Sequence, residues 1–195
     1  MRAFARRASP RVAASPIAKN KKAEDALIVE TEGDILLSRA EAIAHGIAPF
    51  DHFANGLALS LRERFPSMVK DFRHYCQQSR PKPGEAWFWG GADKDGGSAR
   101  IVGLLTQEAA EHSQGLPGKA SLHNVNHALK ALAKIVAEEK LASLALPRLA
   151  TGVGGLEWDG VRPLIDGHLG GLGIPVILYT TYRKGVQAEE GLDAA

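Results

Sequence analysis

Apolar positions recur along this chain at two spacings, every second residue and every third or fourth, which predicts a succession of buried strands and one-sided helices. Ala26–Thr31 is a short apolar run closed by Glu32-Gly33-Asp34, and Ala42–Ala48 is a second whose one strongly polar member is His45. Both suit buried strands. From Asn55 onward Leu57, Ala58, Leu61 and Phe65 fall on one helical face, and beyond Pro66 a second stripe follows in Met68, Val69, Phe72, Tyr75 and Cys76. Pro81-Lys82-Pro83-Gly84 stops it. Glu85–Trp89 and Ala99–Leu105 read as a hairpin around a Gly- and Asp-rich segment. The clearest amphipathic helix carries Leu122, Val125, Leu129, Leu132, Ala133 and Val136. Leu141–Leu146 returns as a strand, Ala150–Gly155 is a glycine-rich loop, Trp158 to Leu169 is a helix and Val176–Tyr179 is the final strand. That order predicts an α/β domain with a mixed central sheet and helices on both faces.

Length and composition add limits. At 195 residues the chain has room for one ordinary domain, and no run approaches the ~20 apolar residues of a membrane helix. A soluble protein without membrane contact is expected. Its single cysteine, Cys76, forbids an intrachain disulfide, so a reducing, cytoplasmic setting fits; Cys76 itself is expected to be buried on its helix. Residues 1–22 hold seven of the 24 Lys and Arg and no acid, which leaves 17 basic against 22 acidic residues, a net −5, for the rest. Phosphate neutralisation over a broad nucleic-acid surface is therefore not expected of the domain. Residues 1–24 read as a disordered basic extension; a transit peptide and a plain leader are both open, with Pro10 and Pro16 interrupting any long helix there. The domain is assigned to residues 25–184, and 185–195 to a frayed C-terminal tail.

Three polar segments follow strands, where α/β sheets place their ligands. Asp34, after the first strand, is either a turn residue or an acceptor for an exocyclic amine. Asn55-Gly56 opens a helix, as an N-cap or as an anion site built from free N–H groups. Thr151-Gly152-Val153-Gly154-Gly155 joins a strand to a helix with little side-chain bulk, so backbone N–H groups can approach an anion. It lacks the Lys-Ser/Thr ending of a Walker loop. His123 and His127 stand four apart, but without a third ligand they read as a solvated pair, and no metal is expected. Trp87, Trp89 and Trp158 read as core or cleft wall.

Taken in order, Gly33-Asp34-Ile35, Ala42–Ile47, Gly56-Leu57-Ala58, Leu104-Leu105-Thr106-Gln107 and Leu146–Trp158 resemble the macro-domain family, over roughly residues 26–182. The similarity is greatest to its terminal ADP-ribose glycohydrolases and the antitoxins that reverse DNA ADP-ribosylation. The resemblance implies a three-layer α/β/α fold that binds ADP-ribose, free or attached to protein or nucleic acid, with no cofactor; a monomer is the favoured state. It implies that Asp34 accepts from the adenine amine beside the Ile35 N–H, that Asn55 and Gly56 border the distal ribose and diphosphate, that Thr151–Gly155 wrap the diphosphate, and that Tyr182 packs on adenine, a surface tyrosine in the exit loop after the last strand being the alternative for Tyr182. Gln107 is counted with the ligand-binding residues.

The departures concern catalysis. Members that hydrolyse through an Asn-rich strand end have two asparagines where this chain has Ala44-His45-Gly46, and the terminal glycohydrolase's lysine and aspartate match Gln107 and Gly154. Neither chemistry has its residues here. His45, Asp51 and Asn55 are the remaining catalytic candidates, with His52 beside them, since proton transfer needs a group titrating near the working pH; a hydrogen-bonded core histidine is the alternative for His45. A hydrolase of an ADP-ribose conjugate or of ADP-ribose 1''-phosphate and a reader without chemistry both stay open. An α/β nucleotide-sugar or dinucleotide enzyme of another family is the third alternative.

Overall fold

The computed structural model describes residues 28–93, 95–112 and 115–192. The basic extension 1–24 lies outside them. Six strands, β1 (Ile28–Gly33), β2 (Ala42–Ile47), β3 (Ala86–Ala92), β4 (Ser98–Leu105), β5 (Leu144–Pro147) and β6 (Val176–Tyr182), form one sheet in the order β1-β6-β5-β2-β4-β3. All neighbours are parallel except β3 and β4, which form the expected antiparallel hairpin. Five parallel strands therefore end at one edge of the sheet.

Both faces are covered, which is why the strands read as nearly unbroken apolar runs. Ala42 and Ala44, Val102 and Leu104, Leu144 and Leu146, and Val176 and Leu178 enter one core with α3 (Leu122–Glu138) and α4 (Trp158–Leu169). The intervening Ile43 and Ile47, Ile101 and Leu105, Ala145, and Ile177 and Tyr179 enter the other, with α1 (Gly56–Arg64) and α2 (Pro66–Ser79). The period of two decides the layer of every strand side chain. His45 shares parity with Ile43 and Ile47, and its ring lies 6.1 Å from that of Phe53 in the second core.

Several boundaries differ from the pattern, each for a local reason. Lys140 takes φ 52° and the Leu141 N–H reaches back to the Val136 carbonyl, so α3 ends in a left-handed turn and β5 begins only at Leu144. Leu122, counted with the apolar face of α3, is exposed at the helix's first turn. β6 runs on to Tyr182, so that residue ends a strand where an exit loop was expected. Trp89 is buried, its Nε1 donating to Asp71 at 2.8 Å, and Cys76 is buried in α2.

The C-terminal segment overturns the expected frayed tail. Ala188 and Glu190 are buried, and residues 183–192 fold back on β1 and the turn that follows it. The Asp34 N–H donates to the Val186 carbonyl at 2.8 Å, the Arg183 N–H to the Gly33 carbonyl at 2.9 Å, and Gln187 Nε2 to the Leu37 carbonyl at 2.9 Å. The sequence concealed this because the contacts are mostly backbone bonds and polar side chains, with only Ala188 and Leu192 adding to the second core, too few to leave apolar periodicity. A chain ending at Lys184 is expected to lose about 2–4 kcal/mol of stability, as when a buried hydrogen-bond network is broken. Urea denaturation of the truncated and full chains checks this; equal midpoints would mean that the segment does not hold the sheet edge.

Candidate functional site

Loops after the parallel strands build a cleft of adjoining hollows. The first, of about 270 Å³, lies between Gly33, Ile35, Gly56, Leu57, Ser60, Pro147, Tyr179 and Tyr182. A central one of about 250 Å³ shares Gly56, Leu57 and Pro147 with it and is bounded further by His45, Asp51, Asn55, Gln107 and Gly152–Gly154. A third, sharing Asp51, Asn55 and Pro117 with the centre, is walled by Phe50, His52 and Leu116. Exposed Tyr182, Val153, Phe50 and Leu116 stand along this line, apolar surface that the core does not use.

Asp34 sits behind the first hollow. It is buried and caps the short 3₁₀ turn Ile35–Leu37, Oδ1 accepting from the Leu36 N–H at 3.1 Å and Oδ2 from the Gly185 N–H at 2.9 Å. The carboxylate is thus fixed by the turn and by the returning C-terminal segment. Burial, and next the Asp34 charge, raise the Tyr182 hydroxyl above its ordinary range. Sequence reasoning missed Tyr179, Ser60 and Pro147. Tyr179 was legible as an inward position of the last strand, and Ser60 as one helical turn beyond Gly56.

Backbone amides dominate the centre. Asn55 takes the extended conformation of an N-cap yet its side chain makes no capping bond, so the amide is exposed at the mouth of α1. Gly56 has φ 55°, which favours glycine there. In the loop after β5, Gly155 N–H donates to the Gly152 carbonyl and Leu156 N–H to the Ala150 carbonyl, both at 3.0 Å. Among the described residues, the N–H groups of Thr151, Gly152, Val153 and Gly154 donate to no protein acceptor. Of this loop, Gly152, Val153 and Gly154 border the central hollow, whereas Thr151 and Gly155 line a separate hollow with Trp158, and Arg148 borders both. The Arg148 guanidinium lies 4.7 Å from the Trp158 ring centre. Strain gathers here: Phe50, Phe53 and Ala150 hold φ of 58°, 53° and 59°, in the left-handed region that side chains disfavour.

The catalytic candidates His45, Asp51 and Asn55 all border this centre. His45 is 2% exposed, and burial pushes its imidazole down to about 4, so the ring is neutral at pH 7. Its Nδ1 and Thr106 Oγ1 are the buried side-chain polar atoms without a partner among the described residues. Asp51 spends its carboxylate on the backbone, Oδ2 accepting from the Ala48 N–H at 3.2 Å and Oδ1 from the Phe53 N–H at 2.7 Å. It therefore closes the strained loop. Gln107 is buried and donates from Nε2 to the Gly118 carbonyl at 3.1 Å, and its N–H reaches the Ile47 carbonyl at 3.3 Å. Among the described residues no group of three or more His, Cys, Asp or Glu could hold a metal; His123 and His127 are exposed, with rings 4.3 Å apart. No described helix is long and apolar enough to cross a membrane.

The described residues thus form an α/β/α domain that presents undonated backbone amides and an apolar flank at the carboxyl ends of parallel strands. Residues 41–165 match the Macro domain model, and the chain belongs to the macro domain family. A DNA ADP-ribosyl transferase-DNA ADP-ribosyl glycohydrolase fusion protein of Thermosipho africanus is 24% identical over 78% of this chain, which spans 42% of that protein's length. The human ADP-ribose glycohydrolase OARD1 is 22% identical, the match covering 83% of this chain and 96% of that protein. Thermosipho africanus DarTG in complex with ADP-ribose superposes with a TM-score of 0.67 at 22% identity, over 81% of this chain and 42% of that one.

Two outcomes follow from the geometry. A Cβ on Gly154 would stand 2.6 Å from the Ala150 carbonyl oxygen and 2.9 Å from the Ala120 Cβ, whereas one on Gly152 meets nothing within 4 Å. Gly154→Ala is expected to lower the melting temperature by several degrees, from a destabilisation of about 1–3 kcal/mol, and Gly152→Ala to leave it unchanged, as read by calorimetry. For His45, burial favours the neutral ring, so the unfolded chain takes up the proton first. The stability this supplies is full above pH 6.5 and is lost as pH falls toward about 4, in total about 3 kcal/mol. Urea titrations at pH 7 and 4.5 are expected to show a decline in the wild type that is smaller in His45→Leu; equal declines would mean that His45 is not the group responsible.

Proposed function

We propose that this domain binds ADP-ribose, free or as a conjugate on protein or nucleic acid, and that it acts as a reader. The observation that carries this reading is the run of four undonated N–H groups at Thr151–Gly154 beside the α1 N-terminus, adjoining a hollow walled by Ile35, Tyr179 and Tyr182. In this reading the diphosphate takes the amides of Gly152–Gly154 and Gly56, where the helix dipole favours negative charge. Adenine packs against Tyr182 and Ile35 with its amine toward Asp34, and the distal ribose extends to Asn55 and Gln107. The relative seen in complex with ADP-ribose supports that choice of ligand.

The reader form is favoured because Asp51 is committed to two backbone amides, Gln107 cannot accept a proton, and His45 is too weak a base for general catalysis at neutral pH. Hydrolysis is the second reading, favoured by the unpartnered Nδ1 of His45 at the floor of the central hollow and by the names of the curated relatives. A cytoplasmic setting belongs to the same proposal.

ADP-ribose is expected to bind with a dissociation constant in the micromolar range, about −8 kcal/mol, and more tightly than NAD. Isothermal calorimetry tests it, and an absence of ADP-ribose binding would refute the reading. Asp34→Ala should weaken binding by about 1.5–3 kcal/mol, the range for a charge-assisted hydrogen bond, with melting measured alongside because the carboxylate also ties the turn to Gly185. Single-turnover assays on ADP-ribosylated protein and DNA separate the two readings. No release is expected; release that falls ~100-fold in His45→Ala, Asp51→Ala or Asn55→Ala with binding retained would establish the hydrolase instead.

A further inference from the structure

Glu190 is 1% exposed, and its carboxylate gathers donors from two segments that build the first hollow. Oε1 accepts from the Ser38 hydroxyl and, at 2.8 Å, from the Tyr179 hydroxyl; Oε2 accepts from the Arg39 N–H at 2.8 Å and lies 3.8 Å from Arg39 Nε. Ser38 is the C-cap of the turn that Asp34 opens, and the Tyr179 side chain is a wall of the hollow. The same C-terminal segment donates the Gly185 N–H to Asp34 and accepts the Asp34 N–H at Val186. A Cβ on Gly33 would meet the Val186 carbonyl oxygen at 2.8 Å and the Ala188 Cβ at 2.9 Å, so the segment is seated directly on the residue that precedes the turn. A carboxylate excluded from water and satisfied by three neutral donors and one cation holds those donors in a single arrangement, since releasing any one leaves buried charge poorly compensated.

From this we propose that Glu190 is a positioning residue of the ligand's aromatic base: by fixing Tyr179 and the Ser38 end of the Asp34 turn, it sets the width and orientation of the hollow without touching the ligand. The inference rests on the reading that this hollow takes the adenine of ADP-ribose. It concerns base recognition alone, because the amides of Gly152–Gly154 have no bond to Glu190 or its partners. Loosening Glu190 is therefore predicted to weaken ligands that carry the base and to spare those that carry only phosphate and ribose. A residue serving stability alone would affect neither class at temperatures well below melting.

The test uses the full chain and calorimetry at 15 °C with ADP-ribose, AMP and ribose 5-phosphate. Glu190→Gln keeps the size and removes the charge, and Tyr179→Phe removes only the hydroxyl, so the second variant answers the question if the first does not fold. Each is expected to raise the dissociation constants for ADP-ribose and AMP by roughly 5- to 10-fold, the worth of one weakened polar contact, while ribose 5-phosphate changes by less than twofold. The double variant is expected to lose less than the product of the two single effects, the sign of a shared contact. ADP-ribose and AMP affinities within twofold of wild type in the folded variants, or equal losses for all three ligands, would overturn the role of Glu190 and leave the proposed function standing. A wild-type chain that binds neither ADP-ribose nor AMP would overturn both.

Discussion

A parallel sheet buried on both faces must send alternate side chains into two separate cores, and in this protein that constraint governs nearly everything else. Ala42 and Ala44 against Ile43 and Ile47, or Val176 and Leu178 against Ile177 and Tyr179, fill both cores from the central strands, and exposed strand interiors such as Glu30 and Gly90 occur in the edge strands β1 and β3. Helices then occupy both faces, and ligand contacts are left to the loops at the carboxyl edge, where the chain need not satisfy the alternation. Even the polar members of the strands obey it. His45 lies in the core of α1 and α2 because its neighbours do, and this burial, not any nearby charge, is what lowers its basicity.

At that edge free N–H groups at Thr151–Gly154 and at the start of α1 offer fixed partial positive charge, and the exposed Arg148 adds a cationic side chain at the border of the central hollow, while residues 23–195 stay mildly acidic. Rigidity comes from elsewhere in the loops. Asp51 ties Ala48 to Phe53 across two residues of unfavourable φ, Gly154 lies against the Ala150 carbonyl, and Gln107 fastens the strand end to Gly118. Asp51 and Gln107, both candidate site residues, are thereby also tied to the backbone around them.

The opposite end of the cleft depends on residues distant in sequence. Asp34 is held by Gly185, Gly33 is covered by Val186 and Ala188, and Tyr179 is anchored by Glu190. The hollow between Ile35 and Tyr182 is accordingly a joint product of the first strand, the last strand and the segment after it. The Glu190 carboxylate holds one wall of it, which ties the C-terminal segment to the hollow as well as to the sheet edge.

The sequence by itself determined the layer structure and most of the cleft's position. Two periodicities, 2 and 3.6, are local properties, so strands such as Ala42–Ile47 and helices such as Leu122–Glu138 were legible, as were the Asn55-Gly56 helix start and the glycine loop, whose conformations depend on the residues themselves. Only the tertiary structure decided which polar groups are free. Whether Asp51 bonds to two amides, whether His45 is exposed or a buried neutral ring, and whether Glu190 belongs to a frayed end or holds the wall residue Tyr179 turn on partners as far as 152 positions away. Burial and hydrogen-bond pairing are set by the whole fold, and a residue's type does not encode its partner.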